Sequence, residues 1–183
     1  MAHAQKRISN PVTGQDILFL QTAADTGGAL LEMESTYHAR SVEPVAHYHP
    51  EQEEDFTVVQ GEIHVRLHGE VRVLRRGDQL HIPRNTIHSM WNASDGVSVV
   101  NWQVRPALRT EHLLETGMGL AADGRVNARG MPALLQIAVM MFTFSREYRL
   151  AKPPFIIQRL VFGLLYPFAR LAGYRGTYTR YTH

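Results

Sequence analysis

The sequence predicts a mainly β fold, an antiparallel sandwich or barrel, followed by a helical extension. Residues 16–105 consist of short β-type segments punctuated by turn residues, and none of them has helical periodicity. From residue 107 onward the apolar residues recur at helical spacing instead. We therefore expect a β domain over residues 1–106 and a helical extension over residues 107–183, packed on the barrel or on a partner subunit.

Alternation of apolar and polar residues identifies the strands. In residues 62–69 every second residue is apolar, which predicts one buried and one polar face. The polar face carries His64 and His68, which we expect to be exposed to solvent. The predicted β segments are residues 16–21, 28–36, 54–59, 62–69, 70–80, 87–92 and 97–105.

The extension is predicted to be helical. Thr110 is a candidate N-cap of a first helix, and two apolar helices follow at residues 131–152 and 154–176, because the adjacent prolines at 153 and 154 interrupt any continuous helix. The uncharged runs in this region are 16 and ten residues long. Both are shorter than the roughly 20 apolar residues that cross a bilayer, so no transmembrane segment is expected.

The charge of the chain is uneven. The net charge is +2, yet residues 146–183 contain seven Lys and Arg against one Glu, a balance of +6. The apolar, basic tail fits a lid, a subunit contact or an anionic membrane surface, and we expect one of the first two. The arginines considered for membrane contact are Arg159, Arg170, Arg175 and Arg180.

Composition excludes several other classes. Without cysteine there is neither a disulfide nor a thiolate metal site. The basic residues of the tail are spread among large apolar ones, which does not suit nucleic-acid binding. The N-terminus shows no secretory signal, so a cytoplasmic location is expected.

A metal site is predicted from residues 46–61. His47 and His49 are two residues apart on strand-like sequence, so their side chains share one face. Of the two following carboxylates, Glu54 has the parity of the apolar residues of its strand, whereas Glu53 has the polar parity. Glu54 is therefore the predicted inward ligand.

His88 is the fourth candidate ligand, at the start of the strand that follows a turn. Asn85 lies in that turn where a left-handed backbone is expected. Three imidazoles and one carboxylate favour a divalent transition metal such as Fe, Mn, Co, Ni, Cu or Zn over Ca or Mg. An octahedral ion would retain two positions for water, substrate or dioxygen.

At these residues the chain resembles the cupin superfamily. The first cupin motif, G-x5-H-x-H-x4-E-x6-G, is matched by His47, His49, Glu54 and Gly61, with Ser41 in place of the leading glycine. The second, G-x5-P-x-G-x2-H-x3-N, is matched by Gly77, Pro83, His88 and Asn92, with Asn85 in place of the middle glycine.

The resemblance covers about residues 10–105 and implies a cupin double-stranded β-helix, a jelly-roll barrel, with a metal near its mouth. It also implies a homodimer, which is frequent in the superfamily. The whole chain further resembles a group of bacterial single-domain cupins with a helical C-terminal extension. The residues that carry this longer resemblance are NPVTG near the start, DGRVNARGMPALLQ, and LAGYRGTYTRY near the end.

Two function hypotheses follow. In the first, the protein is a metal-dependent oxygenase or related oxidoreductase acting on a small, largely apolar molecule, with Fe, Mn, Ni or Cu at the site and Glu54 as a ligand that also leaves the metal to act as a base. In the second, the barrel is a non-catalytic module that binds a small molecule or a structural zinc. Isomerisation or epimerisation of a sugar or keto acid is disfavoured, because a phosphosugar site needs a cluster of Lys and Arg near the metal. The residues considered for an apolar pocket, or equally for the core, are Phe56, Met90, Trp91 and Trp102.

Overall fold

The computed structural model describes residues 2–182. In this range a β barrel of two antiparallel sheets is followed by three helices and one short strand. The barrel strands are β1 (Arg7–Asn10), β2 (Gln15–Gln21), β3 (Leu31–Tyr37), β4 (His47–Tyr48), β5 (Glu53–Gln60), β6 (Glu62–Leu67), β7 (Glu70–Arg75), β8 (Gln79–Ile82), β9 (His88–Trp91) and β10 (Ser98–Arg105). The extension contains α1 (Thr110–Ala122), α2 (Leu134–Thr143), β11 (Arg149–Leu150) and α3 (Phe155–Leu171).

The strand order shows how the chain alternates between the sheets. One sheet has six strands in the order β1-β2-β3-β10-β5-β8, and the other has five in the order β11-β4-β9-β6-β7. All strand pairs are antiparallel. The predicted mainly β architecture with a helical extension is therefore confirmed.

The barrel core lies between the inner faces of the two sheets. Phe56 and Val58 of β5 pack with Ile63 and Val65 of β6, and all four are buried. The alternation in residues 62–69 thus predicted the buried face correctly. His64 is only half-buried, not fully exposed, because its ring packs on a neighbouring tryptophan.

Two predicted segments differ from the structure. Residues 70–80 form β7 and β8 and not one strand, because the chain turns between them at Gly77, whose φ is +92°. The helix predicted over residues 131–152 ends at Thr143, and Arg149–Leu150 forms β11. β11 pairs with β4, so the backbone groups of an edge strand are satisfied by the extension and not by solvent.

The helices of the extension pack on the barrel and on one another. α1 lies against β1, and Leu120 of α1 forms a buried cluster with Met140 and Phe144. α3 packs on α2, where the rings of Phe142 and Tyr166 lie 4.6 Å apart. In the described range no helix has the length and apolar content needed to cross a membrane. The domain division at residue 106 stays a prediction, since β11 ties the extension to a barrel sheet.

Candidate metal centre

The barrel brings the four predicted ligands together. His47 lies on β4 and pairs across the sheet with His88 on β9, and His49 follows β4 directly. Glu54 lies on β5 in the opposite sheet, where it is 1% exposed. The three histidines therefore face the carboxylate across the interior of the barrel.

The distances between these groups are those of a compact cluster. Nε2 of His88 is 3.0 Å from Oε2 of Glu54, and Nε2 of His49 is 3.3 Å from the same oxygen. The candidate ligand atoms of His47, His49 and His88 all lie within 4.8 Å of one another. Such a histidine cluster could bind a metal ion.

Each of the three rings is oriented by a backbone carbonyl group. A carbonyl oxygen only accepts, so the Nδ1 atom that contacts it carries the proton, and in a neutral ring the lone pair is then on Nε2. Fixing the tautomer in this way is how metal-ligating histidines are usually held. The acceptors are the carbonyl oxygens of Val45 at 3.0 Å from His47, Glu147 at 2.6 Å from His49, and Thr86 at 2.9 Å from His88.

At the centre of the cluster lie buried hydrogen-bond acceptors that receive no hydrogen bond. Within residues 2–182, neither Nε2 of His49 nor Oε2 of Glu54 has a hydrogen-bond partner, although both are buried. Leaving buried polar atoms unpaired costs free energy, and a lone pair facing a carboxylate oxygen needs a proton or a cation between them. The ligand atoms of this cluster therefore fit a divalent metal.

Trp102 orients the carboxylate. Its indole N–H donates to Oε1 of Glu54 at 2.9 Å, which leaves Oε2 directed at the histidines. Burial acts to raise the pKa of Glu54, but His49 and His88 beside it lower that pKa to about 2. Glu54 is thus a carboxylate at neutral pH, as a ligand must be.

His47 and His88 differ in how strongly a proton competes with a metal for the ring nitrogen. Burial, together with the neighbouring His88 and His49, lowers the pKa of His47 well below its usual value and keeps that ring neutral. For His88, burial acts to lower the pKa, but the carboxylate of Glu54, whose Oε2 lies 3.0 Å from Nε2 of His88, outweighs burial and raises it. A metal at this position would therefore displace a proton that Glu54 stabilises on His88.

The helical extension contributes to the site directly. Glu147 supplies the carbonyl group that orients His49, and the ring of Tyr148 stacks on His47 at 4.5 Å with an interplanar angle of 20°. Burial and the charge of Glu54 raise the pKa of Tyr148, so its hydroxyl group stays protonated. Neither residue is predicted from the sequence, because both lie in the segment predicted to be helical and no local pattern links them to β4.

The four residues line a cavity of about 270 Å³ between the barrel and the extension. Phe56, Met90 and Trp102, which the sequence left between pocket and core, all line it. Trp91 does not: it packs outside the cavity, beneath Arg66 and beside His64. The apolar lining from α1 and α2 comprises Leu113, Leu114, Met118, Ile137, Met140 and Met141.

The two departures from the cupin motifs have structural explanations. Asn85 has φ +62°, the predicted left-handed conformation, and its N–H donates to the carbonyl oxygen of His49 at 2.9 Å. Ser41 is buried, and its hydroxyl oxygen accepts the backbone N–H of Asn92 at 2.8 Å. Both positions therefore form a hydrogen bond between the two motifs, and at Ser41 this bond uses the side chain that replaces glycine.

Comparisons with known proteins identify the barrel. Residues 33–102 match the family model described as a cupin domain. Among curated proteins, an uncharacterized protein of Aquifex aeolicus is 39% identical over 51 residues, which cover 28% of this chain and 42% of that protein. The matched segment thus spans less than half of that relative.

Among solved structures, the matches include two bacterial proteins. KdgF from a Halomonas species is 22% identical with a TM-score of 0.49, and the match covers 57% of this chain and 91% of that one. An RmlC-like cupin from Shewanella frigidimarina is 21% identical with a TM-score of 0.48, covering 57% of this chain and 86% of that one. The match over residues 33–102 confirms the resemblance to the cupin superfamily in this part of the barrel.

Proposed function

We propose that His47, His49, Glu54 and His88 hold a divalent transition metal and that the protein is an oxygenase-type oxidoreductase acting on a small, largely apolar molecule. The observation that carries this proposal is the convergence of three Nε2 atoms and one carboxylate oxygen on the wall of an apolar cavity. When bound, Fe, Mn, Ni or Cu would supply Lewis-acid and redox chemistry that no side chain here provides.

The cavity supports an apolar substrate. Most of its lining residues are apolar or aromatic, and within residues 2–182 the lining includes no Lys or Arg. A phosphosugar would need such cations to neutralise its phosphate, which argues against the isomerase alternative. A volume of about 270 Å³ suits a small molecule of about one or two rings.

The residues around the metal position would have distinct roles. Trp102 holds one carboxylate oxygen, so that Glu54 keeps the other for ligation or for accepting a substrate proton. Tyr148 presents a protonated hydroxyl group in the same cavity and covers His47. Together with the apolar residues of α1 and α2, these side chains would exclude water from the bound substrate.

The test combines elemental analysis with oxygen uptake. Protein purified without added metal should contain iron, manganese, nickel or copper and should consume oxygen with at least one compound from a panel of quinols, flavonoids and other enolisable aromatics. Glu54→Gln should lower turnover by more than about tenfold, because it removes a charged ligand but keeps the partner of Trp102. Glu53→Gln, on the adjacent half-buried residue, is the matched control and should have wild-type turnover.

Full zinc occupancy with no turnover across the panel would instead support the second hypothesis, a non-catalytic binding module or a structural zinc site. A homodimer and a cytoplasmic location stay predictions. Light scattering of the purified protein tests the first, and fractionation of the cells that produce it tests the second.

A further inference from the structure

An apolar surface of the extension is left without a partner. We define the outer face of α3 as its seven exposed apolar residues, whose exposed fractions range from 44% for Val161 to 87% for Leu171. At 3.6 residues per turn these side chains lie on one side of the helix, opposite the buried Gln158, Phe162 and Ala169. The outer face comprises Ile156, Ile157, Leu160, Val161, Leu164, Phe168 and Leu171.

This surface has no role in the cavity. α1 and α2 line the cavity with their apolar residues, but within the described range no residue of α3 does so. The side of α3 that faces the protein is already occupied by α2. Seven exposed apolar residues on one side of a helix form the kind of apolar patch that usually marks an interaction site.

The edge of the outer face is basic. Arg159 and Arg170 lie three turns apart along one side of it, Lys152 precedes the helix and Arg175 follows it. In the part of the chain that the structure describes, none of these four residues forms an ion pair with a carboxylate. Residues 146–183 as a whole carry a balance of +6.

The charge at the edge of the outer face distinguishes between two possible partners, a second copy of the chain and an anionic lipid surface. A second copy packed antiparallel on this face by twofold symmetry would place the same surface against itself and bring Arg159 close to Arg170 of the other copy. That like-charge contact is unfavourable, whereas an anionic lipid surface is complementary both to the apolar face and to its basic edge.

We propose that the outer face of α3 docks on an anionic lipid bilayer. The helix lies in the plane of the membrane, with Leu160, Leu164 and Phe168 at the boundary between headgroups and acyl chains. Arg159 and Arg170 lie among the lipid phosphates. The outer face of α3, and not the barrel, then lies against the membrane.

Flotation of the full-length protein with lipid vesicles tests the proposal. Binding is expected to vesicles of phosphatidylcholine mixed with phosphatidylglycerol, not to phosphatidylcholine alone, and added salt should weaken it. Leu160→Ser combined with Leu164→Ser should lower binding by at least about tenfold, because two inserted side chains lose their apolar contact. Arg159→Gln should lower it about fivefold.

Val71→Ser is the matched control. Val71 is 46% exposed on β7, so the variant removes an exposed apolar side chain away from α3 and should bind as wild type does. Thermal unfolding of each variant checks that the fold is intact. Absence of binding to anionic vesicles, or equal binding to neutral ones, would overturn the proposal. So would a dimer that becomes monomeric in the Leu160 and Leu164 variant, since a second copy would then cover the face.

Discussion

His49 donates from Nδ1 to the carbonyl oxygen of Glu147, 2.6 Å away and 98 residues later in the chain. A candidate metal ligand of the barrel is therefore oriented by the backbone of the helical extension. The same segment continues through Tyr148 into β11, which pairs with β4 beside His47. The extension is thus a structural part of the candidate site and not an appendage to it.

Tyr148 should support the position of His47. Replacing it by alanine removes the stacked ring and opens the cavity, which should lower the free energy of unfolding by about 2 kcal/mol. Loss of an orienting contact should also weaken metal binding about tenfold. Chemical denaturation and a metal titration measure the two effects.

Tyr148→Phe is the control for this contact, because it keeps the ring and removes only the hydroxyl group. It should bind metal as tightly as the wild-type protein does. If Tyr148→Ala also retained wild-type affinity, the ring would have no part in holding the ligand.

Gln52, which connects the barrel to α1, should contribute to the free energy of unfolding. This buried side chain donates to the carbonyl oxygens of Pro106 and Ala107 and exchanges hydrogen bonds with the hydroxyl group of Thr110. Gln52→Ala leaves those groups unpaired and should cost about 3 kcal/mol in the free energy of unfolding. Gln60→Ala, at the exposed end of β5, should change it by less than about 0.5 kcal/mol. Equal effects in urea denaturation would contradict this role.

Glu115 should make stability depend on pH in the acid range. Burial acts to raise its pKa, but His112 and Lys6 lower it below the ordinary 4.5. A carboxyl group with a lowered folded-state pKa stabilises the fold above the unfolded-state value, and this contribution is lost as the pH falls through the folded-state value. The wild-type protein should therefore lose stability below about pH 4.5.

Glu115→Gln should be about 2 kcal/mol less stable than wild type at neutral pH, and the difference should shrink as the solution becomes more acidic. Thermal unfolding across the acid range measures it. Glu70→Gln, at an exposed position of β7, should follow the wild-type profile. A constant difference between Glu115→Gln and wild type at all pH values would show that Glu115 acts by packing alone.

The barrel and its four candidate ligands were predictable from the sequence because local period and spacing encode them. Strand parity alone placed Glu54 inside and Glu53 outside, and the structure agrees. The contacts from the extension were not predictable in this way. Residues 144–150 lie within a segment whose apolar run predicts helix, yet Arg149 and Leu150 form a strand that pairs with the edge of β4.

The hydrogen bond that Trp102 donates to Glu54 was not predictable for a similar reason. As a large aromatic residue, Trp102 is expected in the core. Its hydrogen bond to Oε1 of Glu54 depends on the register between β5 and β10, in which Trp102 lies opposite Phe56. Such long-range register is not visible in the periodicity of either strand.

The central claim is that His47, His49, Glu54 and His88 hold a metal, and elemental analysis of protein purified without added metal tests it most directly. Wild type and His64→Ala, which changes a half-buried histidine of β6 outside the cavity, should carry the same near-stoichiometric transition metal. His49→Ala should lose it while remaining folded by circular dichroism. Stoichiometric metal in His49→Ala would contradict the four-ligand assignment.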